Sequence, residues 1–446
     1  MTARWFTLLT MAAAAPAHAG GMTLPVHGVR DLERAGALVA GADDADALWL
    51  DPAGLANLAG DGKKALLFDV AYLYQTVGYT RVDATGAMLP KVTNQQPGSA
   101  VPTLAAALGI GDSLVIAAGL TEPYQGLHRY DVAGAQRYAS VELAGSTFVT
   151  IALGAAYRVS PQLRLGATLE DDVALLDAEI VVSACPGQTP CAPGDASYDA
   201  PMTIKESAGL VPSGSIGVQY DARPELTLGA MVHAPARVSA AGTMTLALPS
   251  TAPLGGAMVQ GDRATLSYTL PPSARAGVEW RPVVGLRVEA ALDVELWSVQ
   301  RAIDIVPSGV AVTTPGASFP VAAMHVARDY KTSLAPSLGA EYHVGVVTFG
   351  AGVAYETAAA PAGDVSVLTV DAPKLIVGLG GGYADAGWQI GAAVGLAKLS
   401  DVSVAPADAR VLELEPLRAQ PVPVAINAGD YQSSYLIAGI RAARRF

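Results

Sequence analysis

Hydrophobic and polar positions alternate along most of this chain. The clearest run is 286–296, where every second residue is apolar and the positions between them include Arg287, Glu289, Asp293 and Glu295. A helix would scatter these charges around its circumference, whereas a repeat of two places them on one face. The run therefore predicts a strand with an apolar face and a polar face. Three more runs alternate with small residues on the second face: 149–157, 347–355 and 388–396.

Runs of this kind predict strands that are joined alternately by short turns and by long polar or proline-rich segments. The number of these strands is even. That layout is typical of outer-membrane barrels, with periplasmic turns and extracellular loops. Several runs exceed the ~9–11 residues that cross a bilayer, so we expect them to project beyond it. The predicted fold class is all-β, a transmembrane antiparallel β-barrel of about 14 strands. The strands are placed at 64–80, 101–110, 113–121, 146–158, 163–183, 206–220, 225–246, 264–280, 285–305, 332–344, 346–358, 373–385, 388–399 and 431–446.

The final run, 431–446, predicts the strand that closes the barrel. Its even positions include Leu436 and Ile440, and its odd positions include Arg441. One face is therefore apolar until the chain end, while the other carries charge, as expected for a strand between lipid and water. The run ends on Phe446, and a terminal aromatic residue is common in barrels of this kind.

The N-terminal sixty residues follow a different pattern. Residues 1–19 read as a secretory signal, with Arg4 before an apolar stretch and Ala17-His18-Ala19 as the cleavage site. Residues 20–60 do not alternate, and Asp51 followed by Pro52 predicts a short helix start. We therefore expect three parts: a signal peptide at 1–19, a partly helical plug or hatch at 20–60, and a barrel at 61–446.

Composition and charge narrow the function classes. The chain is 51% hydrophobic and only 15% charged, although no stretch after the signal approaches the ~20 apolar residues of a membrane helix. The net charge of −12 and the absence of a basic patch argue against nucleic acid as a partner. Cys185 and Cys191 flank a Pro/Gly-rich stretch and are expected to form a small loop disulfide in an oxidising compartment.

The sequence contains little that points to catalysis. No histidine stands in a metal-binding spacing such as H-E-x-x-H, and no G-x-S-x-G motif is present. The acidic run 170–172 fits a solvated strand end better than paired catalytic carboxylates. We predict no catalytic residues, no cofactor and no metal. Arg164, Arg287 and Lys374 are candidate partners for a ligand carboxylate, but a salt-bridged, wet interior explains the lumen charges better than a ligand site does.

Residues 28–58 (GVRDLERAGALVAGADDADALWLDPAGLANL) resemble the hatch of the outer-membrane long-chain fatty-acid transporter family (FadL type), which includes importers of aromatic hydrocarbons. The motif is Asp51, Pro52, Ala53 and Gly54, with Asp51 where the family usually has Asn. Weaker matches follow in the family's order along the chain: GLTEPY at 119–124, Arg137-Tyr138, and AALDVELW at 290–297.

The resemblance implies a barrel of fourteen strands plugged by the hatch, with a kink in the third strand that opens the wall sideways. Gly119 and Pro123 flank the expected kink, and Tyr124 follows it. Glycine tolerates bends and proline cannot donate to a ladder, so both weaken strand pairing there. Tyr124 and Tyr130 could also form a groove in the loop 122–145, or simply pack within it.

The expected function is passive uptake of a hydrophobic small molecule, a fatty acid or a hydrocarbon, across the bacterial outer membrane, with lateral release into the bilayer. The alternative is a polar-solute porin or a structural surface barrel. We expect outer-membrane lipid and lipopolysaccharide as surroundings and a monomeric state.

Overall fold

A computed structural model describes residues 28–186, 191–192, 194–418 and 423–446. The predicted signal peptide and residues 20–27 of the predicted hatch lie outside the described residues. Fourteen antiparallel strands form a closed barrel, which confirms the predicted fold class. No helix in the described ranges is both long and apolar enough to span a membrane.

Nine of the barrel strands are continuous. Strands β1 to β5 are Lys64–Arg81, Ser99–Ile110, Leu114–Gln125, Thr147–Arg158 and Leu163–Ser183. Strands β6 to β10 are each interrupted once: Asp199–Ala208 with Ser215–Arg223, Leu226–His233 with Ala236–Leu246, Arg263–Leu270 with Ser273–Val283, Leu286–Glu295 with Ala302–Ser308, and Met324–Ala327 with Ser333–Val344. Strands β11 to β14 are Val347–Glu356, Lys374–Asp385, Trp388–Leu399 and Gly429–Arg445.

Short elements decorate this frame. Val92–Thr93 pairs with β1, Pro212–Ser213 pairs with β5, and Val402–Val404 pairs with β14. Outside the barrel sheet, Met258–Gln260, Ala311–Thr314 and Ala317–Pro320 form a three-stranded sheet. The helices are α1 at Val29–Glu33, α2 at Ala47–Leu50, and 3₁₀ turns at Pro52–Leu58, Ala196–Tyr198, Trp297–Val299 and Ala362–Asp364.

The last strand closes the barrel on the first. β14 pairs with β1 from Ala65 opposite Arg445 to Arg81 opposite Gly429. The two faces separate as the alternation predicts: Ile440 is 62% exposed on the outer face, whereas Ile437 is fully buried inside. β14 also pairs with β13 along its other edge, so it has a neighbour on both sides, as strands that cross a bilayer require.

Strands β7 and β8 break where the sequence predicted continuous runs. The break in β7 falls at Ala234-Pro235 and the break in β8 at Pro271-Pro272. Proline has no amide hydrogen to donate to a ladder, so pairing is lost at these points. The prediction of single strands at 225–246 and 264–280 was therefore wrong in detail, although the strand count was right. The strands predicted at 206–220 and 285–305 are interrupted as well, at 209–214 and at 296–301.

The described part of the predicted hatch, residues 28–60, lies inside the barrel. Leu38, Leu48 and Leu55 are fully buried and belong to a core cluster that includes Ala105 and Val115 of the wall. Small wall residues make room for this segment. A β-carbon at Gly378 of β12 would overlap the Leu32 carbonyl oxygen.

Candidate functional site

Ion pairs anchor the hatch to the barrel wall. Arg34 of the hatch is fully buried and lies 3.0 Å from Glu289 of β9 and 3.1 Å from Glu341 of β10. Glu289 also accepts hydrogen bonds from the backbone amides of Val39 and Ala40 at 2.7 and 2.8 Å. Buried charges are tolerated only when paired and hydrogen-bonded, so these contacts fix the hatch in one position.

A second group of ion pairs has the opposite polarity. Arg441 of β14 contacts Asp44 and Asp46 of the hatch at 2.6 and 3.0 Å, and Asp69 of β1 at 3.2 Å. The hatch therefore presents cations to wall carboxylates on one side and carboxylates to a wall arginine on another. This complementarity selects one orientation of the hatch, because a rotated hatch would bring like charges together.

The hatch motif forms the cap of a short 3₁₀ turn. The Asp51 side chain accepts a hydrogen bond from the Ala53 amide at 3.0 Å, and Pro52 begins the turn Pro52–Leu58. A β-carbon at Gly54 would overlap the Ala42 carbonyl oxygen, so this position requires glycine. A carboxylate and an amide both accept this hydrogen bond, so the geometry at position 51 suits aspartate as well as asparagine.

A gap interrupts the wall between β2 and β3. The ladder between these strands runs only from Ile110 opposite Leu114 to Thr103 opposite Thr121, whose Oγ1 atoms lie 2.9 Å apart. We call the unpaired stretch above it, residues 96–102 facing 122–127, the lateral window. Neither Pro102 nor Pro123 has an amide hydrogen to donate across it.

Strand β3 leaves β2 but stays with β4. Its register against β4 shifts between Thr121 and Tyr124, and Tyr124 then pairs with Phe148. Pro123 lies in this irregular stretch, and its role in a lateral opening stays a prediction. Gly119 lies outside it, in regular register with Ala105 and Ala152, and a side chain there would meet Leu48 and Trp49 of the hatch.

An apolar cavity lies behind the lateral window. Tyr124 and Gln125, where β3 pairs with β4 but no longer with β2, and the following residue Gly126 form one wall of this cavity. Tyr124 packs edge-on against Phe148, with ring centroids 5.8 Å apart. The remaining lining is mainly aliphatic and aromatic, and it includes Leu143, Leu176, Ala178, Ile180, Leu266, Tyr268, Ile305, Val326 and Leu414. The cavity therefore suits an apolar solute and borders the gap in the wall.

One charged side chain in this cavity lacks an anionic partner. Arg328 is 2% exposed, and its Nη1 atom donates to the Tyr330 hydroxyl at 2.6 Å and to Thr369 Oγ1 at 3.3 Å. Its Nε and Nη2 atoms are buried without any hydrogen-bond partner. Within the described part of the chain, no carboxylate lies within 4.0 Å of it. A buried, unpaired guanidinium is costly, and it fits a carboxylate from a ligand.

The three basic residues predicted from the sequence have protein partners. Arg164 makes a two-pronged contact with Asp221 at 2.7 and 2.8 Å. Arg287 lies 2.8 Å from Asp43 of the hatch, and Lys374 lies 2.9 Å from Glu356. Ligand binding by any of the three, which stays a prediction, would require displacement of a protein carboxylate.

A polar chamber adjoins the other side of Tyr124. Glu170 lies 3.1 Å from His233, and Arg275 lies 2.7 Å from Asp293. These contacts pair the residues with one another and fit the wet, salt-bridged interior that the sequence left open. Among the residues that the structure describes, no cluster of three His, Cys, Asp or Glu could hold a metal ion.

Sequence reasoning missed Arg328. It lies between the predicted strands 285–305 and 332–344, so the alternation of the strands gives no reason to select it.

The two cysteines are joined by a bond between Cys185 and Cys191 in the loop after β5. Burial lowers the pKa of His128, in the loop after β3, to about 4, so its neutral ring shares a 2.8 Å hydrogen bond with Ser140.

Several solved structures share this fold. A Pseudomonas aeruginosa FadL homologue superposes with a TM-score of 0.75 at 17% identity, over 95% of this chain and 99% of that one. The Ralstonia pickettii toluene transporter TbuX has a TM-score of 0.64 at 17% identity, and the P. putida toluene transporter TodX 0.61 at 16%, with the same coverage. No curated protein matches the sequence.

The family described as outer membrane protein transport protein (OMPP1/FadL/TodX) matches residues 10–446, nearly the whole chain. The closed barrel, the internal hatch and the fold of the solved relatives agree with this match. The chain therefore belongs to the OMPP1/FadL/TodX family and is an outer-membrane transport protein.

Proposed function

We propose that this protein takes up hydrophobic molecules that carry a carboxylate, of the long-chain fatty-acid class, and releases them sideways through the lateral window. The observation that carries the proposal is the apolar cavity, which borders the part of β3 where its ladder with β2 has ended. An apolar solute avoids a water-filled channel, and a route from the cavity through the wall into lipid never exposes it to water.

Arg328 supports a carboxylate on the cargo. Its free Nε and Nη2 atoms offer the planar pair of donors that matches a carboxylate, while the aliphatic lining nearby suits a hydrocarbon tail. TbuX and TodX, two of the similar structures, are toluene transporters, which supports a hydrophobic solute in general. The carboxylate is therefore a feature proposed for this chain on the ground of its own buried cation.

The proposal includes a monomer surrounded by outer-membrane lipid and lipopolysaccharide. One chain supplies both edges that close the barrel, since β14 pairs with β1, so closure requires no second copy. The alternative of an open porin for polar solutes is disfavoured because the hatch fills the lumen. Leu38, Leu48 and Leu55 at its centre are fully buried.

The test is uptake of radiolabelled oleate by a host that lacks its own fatty-acid transporter. Ala178→Phe fills the apolar cavity and is expected to lower uptake about tenfold or more, since a loss of 1.4 kcal/mol in binding is a factor of ten. Ala155→Phe places the same ring on the exposed outer face of β4 and should leave uptake unchanged.

Surface levels of both variants are measured alongside uptake. Oleate uptake that is equal in Ala178→Phe and in wild type would contradict the cavity as the route. A wild-type protein that imports toluene but not oleate would contradict the carboxylate and leave hydrophobic uptake in place. A porin-sized conductance of wild type in planar bilayers would favour the alternative function.

A further inference from the structure

The upper end of the lateral window is closed by the side chain of Asn94. Its Nδ2 atom donates to the carbonyl oxygens of Gln75 and Leu127, both at 2.8 Å. Its Oδ1 atom accepts from the amides of Gln96 and Arg129, both at 3.0 Å. All the hydrogen-bonding capacity of this amide is therefore used, two donors and two acceptor sites.

These four hydrogen bonds join three parts of the wall. Gln75 lies on β1, Gln96 lies on the approach to β2, and Leu127 and Arg129 follow β3. The Asn94 backbone amide adds a fifth bond, to the Val77 carbonyl oxygen at 2.9 Å. Asn94 thus holds the chain after β3 against the edge of β1 at the point where the ladder between β2 and β3 has already ended.

The window has a defined lower edge and a defined upper edge. The lower edge is the last ladder pair, Thr103 opposite Thr121. The upper edge comprises the bonds of the Asn94 side chain to Leu127 and Arg129, together with one backbone bond from the Gln95 amide to the Arg129 carbonyl oxygen at 2.8 Å. Two of these three bonds across the upper edge depend on one side chain.

We propose that Asn94 sets the height of the lateral window and thereby the largest cross-section of a solute that leaves through the wall. The proposal rests on the lateral release proposed above. It assigns Asn94 as a specificity-determining residue outside the apolar cavity, since Asn94 does not line that cavity. Arg328 would recognise the head of the solute, and Asn94 would limit the bulk of its tail.

The chemistry of the amide is specific to asparagine. Aspartate keeps both acceptor bonds and loses both donors, so the links to Gln75 and Leu127 would be lost. Alanine loses all four side-chain bonds. Asn94→Asp therefore removes one of the two side-chain bonds across the upper edge, and Asn94→Ala removes both. The backbone bond between Gln95 and Arg129 remains in both variants.

The test compares uptake of two carboxylates in a transporter-deficient host: a straight-chain fatty acid, and one whose tail ends in a pyrene group. The measured quantity is the ratio of pyrene-tail uptake to straight-chain uptake. Asn94→Ala is expected to raise this ratio several-fold above wild type, and Asn94→Asp is expected to raise it to an intermediate value. Thr93→Ala, at the exposed neighbouring position, should leave the ratio at the wild-type value.

The outcomes separate the two proposals. If wild type imports the straight-chain acid and both Asn94 variants keep the wild-type ratio, the role of Asn94 is overturned and uptake through the protein stands. If wild type imports neither acid above the level of the empty host, the proposed function itself fails. Should Asn94→Ala not reach the membrane, the Asn94→Asp ratio alone decides: an increase supports the proposal and an unchanged ratio overturns it.

Discussion

Arg34 of the hatch and Glu289 of β9 form an ion pair in which both side chains are completely shielded from solvent. Their charged groups lie 3.0 Å apart, and Glu279 and Glu341 flank the same guanidinium at 3.6 and 3.1 Å. A single arginine therefore holds three wall carboxylates together at the centre of the barrel. Removing one member of such a group leaves uncompensated buried charge, which typically costs about 3–5 kcal/mol.

This relationship predicts that Arg34→Met loosens the hatch while the barrel stays folded. Without Arg34, Glu289 still accepts hydrogen bonds from backbone amides of the hatch. The three carboxylates repel one another, and only the neighbouring arginines compensate their negative charge. Planar-bilayer conductance should rise above wild type. Arg263→Met removes an arginine that is 75% exposed and should leave conductance unchanged. Wild-type conductance in Arg34→Met, with a heat-modifiable barrel, would show that this cluster does not hold the hatch.

Arg328→Leu is predicted to change selectivity instead of abolishing transport. Hydrogen bonds to charged groups contribute about 1.5–3 kcal/mol, so oleate uptake should fall about 10- to 100-fold. Toluene uptake should persist, because the apolar lining of the cavity is untouched. Arg301→Leu, at an exposed position whose backbone carbonyl bonds to Arg328, serves as the control. An equal loss for both solutes would contradict the assignment of Arg328 to the carboxylate.

Glu413 predicts a pH dependence in the loop between β13 and β14, next to the apolar cavity. Burial, and then the charge of Glu415, raise the pKa of Glu413 from 4.5 to about 7. Because the packed state favours the protonated carboxyl group of Glu413, the stabilisation is fully present below pH 4.5. It is lost as the pH rises from 4.5 to about 7, where the carboxyl group ionises in the packed state. Leu414, the next residue, lines the cavity and accepts a 2.9 Å hydrogen bond from the Ser183 amide.

Hydrogen exchange of this segment, corrected for the intrinsic rate, should therefore increase between pH 5 and pH 8. Glu413→Gln removes the titrating group and should flatten the profile over the same range. A wild-type profile as flat as that of the variant would show that Glu413 does not control the packing of the segment.

The Cys185–Cys191 bond predicts a mass change on reduction. The intact mass of protein purified without reductant should increase by two hydrogens after reduction, when the thiols are not alkylated before mass spectrometry. The variant Cys185→Ser provides the control, since it has no bond to reduce. Free thiols in the native protein would contradict the disulfide.

Much of the barrel was predictable because it depends on local alternation. Leu436 and Ile440 on one face and Arg441 on the other identify a two-faced strand without knowledge of its neighbours. The cap at Asp51 and Pro52 is equally local, since both partners lie within two residues. The break in β8 at Pro271-Pro272 was also visible in the sequence, but the long run on either side outweighed it.

The site was less predictable because its residues meet across the sequence. Arg164 stood out as a lumen cation, but its partner Asp221 is 57 residues away, and only strand register brings the two together. Arg328 and Asn94 lie in segments without alternation, so no period marks them. Their roles follow from what surrounds them: an apolar cavity for Arg328, and the open edge of a ladder for Asn94.

Lateral release requires that cargo leaves through the wall between β2 and β3. Pro102→Val/Pro123→Val adds an amide hydrogen on each of the two strands that border the lateral window, and Pro336→Val adds one at an exposed position of β10 as a control. Slow hydrogen exchange of the new amides would show that the window is closed. Calorimetry would measure the binding of oleate to the variant.

The decisive measurement is oleate uptake by the double variant in the transporter-deficient host. With the window closed, lateral release predicts wild-type binding of oleate in the cavity and oleate uptake that is reduced about tenfold or more. Pro336→Val should keep wild-type uptake. If oleate uptake stays at the wild-type level although the window is shown to be closed, the cargo leaves along the barrel axis, and lateral release is contradicted.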